Sequence, residues 1–261
     1  MYTNEERMNL FNNLLKELRN LKIDGVVQIG SGVNNFKDNF SDIDMMVAVK
    51  GDVTQRKDEI KEILERMGAV YLKEGIFREN IYLLMPFFDN GLEMDISIMP
   101  TNLLSVQSPL WKVVFDVDGH VKTKMDDLNT KFMGEIQPYR VTKDIVFEFT
   151  YQYRKAMIEV NRNNLIGALI HTDEMRNFIL EVQILNEQKK LHQFKRYDDL
   201  SSDFQKFFLS TYQIGLSQNE IEQNLKRLTS LFIDTVQAST TIDYDYKVNH
   251  IISDLFEEDL M

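Results

Sequence analysis

The sequence predicts an α+β protein: an N-terminal mixed-sheet head followed by a C-terminal all-helical bundle. Two observations carry this. In the first half, short apolar runs with strand spacing, broken by glycines and an Asn-Gly turn, stand among two amphipathic helical stretches; from about Thr142 onward long helical periods dominate. Pro138 lies just before the change, so the expected domains are 1–138 and 139–261.

Thr3-Asn4-Glu5-Glu6 has the form of a capping box, and Met8, Leu10, Phe11, Leu14, Leu15 and Leu18 follow with helical spacing, predicting a first helix ending near Asn20. Gly25 to Ile29 is a short apolar run closing on Gly30, a buried strand. A polar loop from Ser31 to Ser41 leads to a second strand, Ile43 to Val49. Thr54 to Met67 is an amphipathic helix with Gly68 as its stop. Strands are expected at Val70–Leu72 and Ile81–Phe88. Asp89-Asn90-Gly91 then supplies a hairpin turn, because Asn-Gly accepts the positive φ angles of tight turns. The return strand, Leu92 to Met99, places Leu92, Met94, Ile96 and Ile98 on one face and Glu93, Asp95 and Ser97 on the other. The helical half is read as Thr142–Asn161, Leu165–Lys190, Asp203–Tyr212 and Ser217–Val236, the last opened by a capping box at Ser217-Gln218-Asn219-Glu220.

Composition narrows the function. With 43% hydrophobic and 27% charged residues the chain is a folded one, and its four prolines leave little room for a long linker. It has no cysteine, which removes disulfides, thiolate metal sites and cysteine nucleophiles together. The start, Met1 to Arg7, is acidic and polar, unlike a signal peptide, and no window is apolar enough for a membrane span. A cytoplasmic protein is expected. The net charge of -11 and the lack of a basic track beyond Lys189-Lys190 to Lys195-Arg196 argue against a long nucleic-acid partner and favour metal ions and small cations. Oligomeric state is not legible.

The chemistry is concentrated in Gly30-Ser31, Asp42-Ile43-Asp44 and Asp95. A strand ending in Gly-Ser lets backbone approach a phosphate, while the serine hydroxyl and nearby amides donate to it. Two aspartates at spacing two on a strand face the same way, and such a pair ionises cheaply only around a cation; a hard divalent ion with oxygen ligands suits them. Asp95, on a separate strand with matching orientation, makes three carboxylates. Three can hold two Mg²⁺ ions, one positioning a triphosphate and one activating a hydroxyl, whose proton Asp95 can accept. The order of these pieces along the chain is the informative feature, since neither Asp-x-Asp nor Gly-Ser is specific alone.

Gly30-Ser31, Asp42-Ile43-Asp44 and Glu93-Met94-Asp95-Ile96 together resemble the signature of the DNA polymerase β-like nucleotidyltransferases. An α/β head with a helical bundle resembles, within them, the bacterial aminoglycoside and lincosamide enzymes. Trp111 to Gly119 is similar to a segment of the streptomycin adenylyltransferase type, a strand ending in an Asp-Gly turn. The resemblance implies transfer of a nucleoside monophosphate, usually AMP from ATP, to a hydroxyl, with release of pyrophosphate. It implies Gly30 and Ser31 as triphosphate contacts, Asp42 and Asp44 as Mg²⁺ ligands, and Asp95 as third ligand and base. Residues 1–138 would then be the catalytic domain and 139–261 the substrate-binding domain. One departure is that Val33-Asn34-Asn35 stands where aminoglycoside enzymes often have a basic residue, with Lys37 the first cation.

Other candidates carry competing readings. Arg154, Lys155 and Arg176 sit on helices of the second half, where a cation facing the leaving pyrophosphate is needed; Lys155 and Arg176 are taken as nucleotide contacts, against the alternative of a solvated helix face. His171 reads as structural, and four histidines give no zinc cluster. Asp116 and Asp118 read as turn residues, Glu93 as an exposed strand residue, Trp111 and Tyr139 as packing residues before acceptor-pocket ones. Gly30-Ser31-Gly32 lacks the spacing of a hydrolase elbow and the third glycine of a dinucleotide fingerprint. The expected acceptor is a small cation such as an aminoglycoside. Alternatives are a lincosamide, a metabolite or a protein as acceptor, a non-catalytic nucleotide-binding or antitoxin-like protein, and a glycosyltransferase using Asp-x-Asp.

Overall fold

The computed structural model describes residues 2–34, 40–134, 142, 144–189 and 197–242. The chain divides into two compact units, Met1–Gln137 and Pro138–Met261. Pro138 itself, Tyr139, Lys37 and the basic stretch at 190–196 lie outside the described residues.

The first unit begins with α1 (Asn4–Leu18), opened by the expected capping box: Thr3 accepts from the Glu6 amide while Glu6 reaches back to the Thr3 amide. It continues through β1 (Gly25–Ile29), β2 (Ile43–Val49) and α2 (Val53–Arg66), then β3 (Ala69–Arg78), β4 (Ile81–Phe88), β5 (Met94–Pro100), β6 (Trp111–Asp116) and α3 (His120–Gly134). The six strands form one mixed sheet in the order β3-β4-β5-β2-β1-β6; only β2 and β5 run parallel among the pairs.

Alternation along the strands sorts residues between two cores. Ile43, Met45, Val47 and Val49 of β2, with Met94, Ile96 and Ile98 of β5, pack with Phe11, Leu14 and Leu18 of α1 and Ile60, Ile63 and Leu64 of α2. Met46, Ala48, Val27 and Met99 face the other way and pack with Val121 and Met125 of α3. Asp44 and Asp95 belong by parity to this second face, at the ends of β2 and β5 where the strands begin.

Two elements differ from expectation. β3 runs to Arg78, well past Leu72, pairing with β4 through Arg78↔Ile81. Its lower half is mostly exposed, so it carries no apolar alternation to read; the turn is marked by Asn80 at φ 62°. Helix α3 follows β6 where no helix is expected. Its start is capped at a distance: Asp116 accepts from the amides of Gly119 and Lys122 at 3.0 and 2.7 Å, and Asp118 from that of His120. The two aspartates therefore do serve the turn, and the turn opens a helix.

The second unit holds α4 (Ile145–Asn161), α5 (Leu165–Asn186), α6 (Ser202–Ser210) and α7 (Gln218–Gln237), within two or three residues of expectation at most ends. Helix α7 starts on the expected Ser217–Glu220 capping box, and α5 stops four residues short of the expected end, before Gln188 at φ 57°. Their core is apolar and centred on Phe149 and Phe232, whose rings stack at 3.8 Å. The fold is α+β, a mixed sheet with helices followed by a helical bundle. No described helix is long and apolar enough to cross a membrane.

Candidate metal centre

Three strands bring the acidic residues together. β1 pairs antiparallel with β2 so that Ile29, the last residue of β1, stands opposite Asp44. β2 pairs parallel with β5 so that Asp44 stands beside Asp95. Directly paired residues point to the same face of a sheet, so this register alone sets the two carboxylates side by side. Asp42 precedes β2 by one residue and shares its parity with Asp44. One oxygen from each of Asp42, Asp44 and Asp95 lies within 4.8 Å of the other two; Asp42 and Asp44 are half-buried and Asp95 is exposed.

Gly30 completes the corner. It leaves β1 at φ +72°, hydrogen-bonded through its amide to the Leu110 carbonyl at 3.0 Å, and opens a short 3-10 turn through Asn34. A Cβ at this position would stand 2.5 Å from Asp44 Oδ2. Glycine is needed twice over, for the left-handed backbone and for the room beside the carboxylate. Ser31, next in the turn, is exposed.

The donor set decides what could bind. Three carboxylates offer only hard oxygen, with no thiolate in the chain, which suits Mg²⁺, Mn²⁺ or Ca²⁺ and not a soft metal. Three negative groups within 4.8 Å repel one another in a half-buried corner, and a divalent cation offsets that repulsion. The residues present fit such an ion.

Two residues that the sequence reading did not single out reach the segment just before Asp42. Arg7 of α1 donates from Nη1 to the Ser41 carbonyl, and Tyr2 Oη donates to the same oxygen at 3.1 Å. A signal was available: Arg7 precedes Phe11, Leu14 and Leu18 at helical spacing, a charge at the head of the buried stripe.

Glu93 is exposed, and its carbonyl accepts from the Ile43 amide at 3.3 Å. Trp111 donates from its indole to Asn129 Oδ1 at 3.1 Å, a packing role at the β6–α3 contact. In the second unit, Lys155 lies half-buried with its ammonium 4.6 Å from the Tyr151 ring centroid, and Arg154 is exposed. Arg176 is 3% exposed, and each guanidinium nitrogen has a partner: Nε donates to Thr211 Oγ1, Nη2 to the Thr211 carbonyl and Nη1 to Asp173. The guanidinium also lies over the Tyr212 ring at 4.1 Å. Inside its unit it therefore serves as a tie between α5 and the end of α6. His171 Nδ1 lies 2.7 Å from Gln152 Oε1, linking α5 to α4.

A depression of about 390 Å³ lined by Lys50, Thr101, Asp118 and His120 opens at the opposite ends of β2 and β5, away from the aspartates.

No family model matches the chain, and no curated protein matches it. Solved structures similar to it include an aminoglycoside 6-adenyltransferase from Bacillus subtilis, 17% identical over 97% of both chains, with a TM-score of 0.42. A nucleotidyltransferase-like protein from Exiguobacterium sibiricum is 10% identical over 86% of this chain and 76% of its own, with a TM-score of 0.35.

Proposed function

We propose that this protein is a metal-dependent nucleotidyltransferase that moves a nucleoside monophosphate, AMP from ATP, onto a hydroxyl of a small cationic acceptor and releases pyrophosphate. The observation that carries the reading is the convergence of Asp42, Asp44 and Asp95 within 4.8 Å, beside a glycine where any side chain would collide with the Asp44 carboxylate.

Asp42 and Asp44 would hold Mg²⁺, with Asp95 as the third ligand of a two-ion site. Bound there, the ions supply charge neutralisation for the triphosphate and acidify the acceptor hydroxyl. The chain's own groups do the rest. The Gly30-Ser31 turn offers backbone without a side chain, and the Ser31 hydroxyl, to the phosphates. Asp95, the exposed member, accepts the proton of the acceptor hydroxyl as its oxygen bonds to the α-phosphorus. The bond from that phosphorus to the bridging oxygen breaks, and pyrophosphate leaves with the electron pair. Lys155 is proposed as a triphosphate contact from the second unit; Arg176, occupied inside that unit, is a weaker candidate for the same role. The net charge of -11 supports a cationic acceptor such as an aminoglycoside.

A pyrophosphate-release screen of ATP, GTP, CTP and UTP with Mg²⁺, against aminoglycosides and lincosamides, tests this. The expected result is release with ATP and an aminoglycoside, lost in Asp42→Asn, Asp44→Asn and Asp95→Asn. Release with none of the drugs moves the acceptor to a metabolite or a protein. Failure of the wild type to bind any nucleoside triphosphate with Mg²⁺ removes the enzyme reading.

A further inference from the structure

Asp42 is the one member of the triad outside a strand, so its carboxylate is not fixed by sheet register as those of Asp44 and Asp95 are. Its position depends on how the chain enters β2. The residue after it is tied to β5, since the Ile43 amide donates to the Glu93 carbonyl at 3.3 Å. The residue before it is tied to α1. Arg7, fully buried, donates to the Ser41 carbonyl oxygen, and Tyr2 Oη donates to the same oxygen at 3.1 Å. Arg7 also donates to Asn4 Oδ1 one turn earlier, and its guanidinium lies 5.5 Å from the centroid of the Tyr2 ring. A buried guanidinium is costly to place, and a neutral apolar residue at the head of this helical stripe would pack α1 against the core at less expense. Among the things the charge adds is a charge-assisted, directional hold on the Ser41 carbonyl oxygen.

We propose that Arg7, seconded by Tyr2, is a positioning residue for the metal centre: by clamping the Ser41 carbonyl from α1, it sets the backbone from which Asp42 presents its carboxylate. The inference rests on the reading of the aspartates as a metal site. A clamp of this kind leaves the ligand chemistry untouched and changes only how often Asp42 is in place. Its loss lowers metal affinity in the way that loss of outer-shell partners does, by about 10-fold to 100-fold for the stronger contact. Loss of the tyrosine hydroxyl alone, with Arg7 still in place, lowers it several-fold.

The experiment is a titration of the full-length chain with Mn²⁺, followed by paramagnetic resonance of the free ion, in the wild type, Arg7→Met, Arg7→Lys, Tyr2→Phe and Asp44→Asn. Melting temperatures are measured in parallel with EDTA present. The expected pattern is about a 10-fold or greater weakening in Arg7→Met, partial recovery in Arg7→Lys, a several-fold weakening in Tyr2→Phe, and no binding in Asp44→Asn. Tyr2→Phe keeps the ring and its packing, so it reports on the clamp even if Arg7→Met does not fold. Wild-type affinity in both Tyr2→Phe and a folded Arg7 variant overturns the proposal and leaves the metal site standing. If Arg7→Met fails to fold, wild-type affinity in Tyr2→Phe alone overturns it. A wild type that binds no Mn²⁺ overturns the metal site, and the clamp's role with it.

Discussion

A Cβ on Gly30 would stand 2.5 Å from Asp44 Oδ2, and Gly30 already occupies φ +72°. The end of β1 and the start of β2 thus meet at a point where neither a side chain nor an ordinary backbone angle fits. Gly30→Ala pushes on a carboxylate that sheet pairing holds in place. The expected outcome is a loss of about 1–3 kcal/mol of stability from the strained angle and the contact. Mn²⁺ binding and pyrophosphate release should fall further than that stability loss accounts for. Calorimetry and Mn²⁺ titration on the same sample separate the two effects; a variant with wild-type metal affinity would mean that Asp44 moves freely and is not a preset ligand.

Divalent cation should stabilise the first unit. An ion that binds only the folded state at 100 times its dissociation constant contributes about 2.7 kcal/mol, which is several degrees in melting temperature for a unit of this size. EDTA should reverse the shift, and Asp44→Asn should abolish it. In EDTA the variant should lie within about 1 kcal/mol of the wild type, because removing one of three crowded charges relieves repulsion. An unchanged melting curve on adding Mg²⁺ or Mn²⁺ to the wild type sinks the metal-site reading.

Much of this corner was legible in the sequence because strand period and strand order are local signals. The bounds of β1 and β2 match their apolar runs, and the alternation in Leu92–Met99 correctly puts Asp95 opposite the buried Met94, Ile96 and Ile98. The pairing that brings Asp44 beside Asp95 is a long-range fact that only the expected sheet could suggest. What stayed hidden is tertiary. Helix α3 is capped from Asp116 and Asp118, residues that read in the sequence as belonging to the turn, so its start is not marked by a capping box. The end of β3 is an exposed edge, where alternation carries no burial. The spacing of Arg7 ahead of Phe11, Leu14 and Leu18 signals its burial, but nothing local signals that Ser41 lies against it.

Acid should loosen the contact between α2 and β3 through Glu74. Hydrogen bonds from the Lys57 and Lys61 ammonium groups hold its carboxyl below the ordinary value of 4.5. A carboxylate depressed in the folded state contributes stability above its unfolded pKa and loses it as pH falls through the folded one. The contribution is therefore intact at neutral pH and lost below about pH 4.5. Because the side chain is about a third exposed, solvent screening limits it to roughly 0.5 kcal/mol. Urea midpoints between pH 6 and pH 3 should fall less steeply in Glu74→Gln than in the wild type; parallel slopes would show that the triad of charges contributes nothing.

Arg176 offers a choice between two roles. Its guanidinium is fully engaged with Thr211, Asp173 and Tyr212, so Arg176→Met should cost about 2–4 kcal/mol by leaving the Thr211 carbonyl and hydroxyl without their donors. If the side chain instead serves the triphosphate, the variant raises KM for ATP with little change in melting temperature. Lys155→Met, by contrast, should raise KM for ATP and leave stability within about 0.5 kcal/mol.

Asn224 is a fully buried polar residue of the helical unit. It lies on the buried side of α7 with no exposed surface, among Ile221, Leu225 and Leu228, and neither its amide nitrogen nor its amide oxygen has a hydrogen-bond partner among the described residues. Burying a polar group without a partner costs about 1–3 kcal/mol, and leucine has the same branching and number of heavy atoms with no polar atom to satisfy, although its methyl groups are bulkier. Asn224→Leu should therefore raise the stability of the second unit by about 1–2 kcal/mol, read as an upward shift in the thermal or urea midpoint. Asn224→Ala separates the causes, since it removes the polar group and leaves a cavity, and should come out below Asn224→Leu. A destabilised Asn224→Leu, together with a loss in Asn224→Ala larger than its cavity accounts for, would mean that the amide has a partner in solution, such as an ordered water. Destabilisation of Asn224→Leu alone would mean that its methyl groups overpack the site.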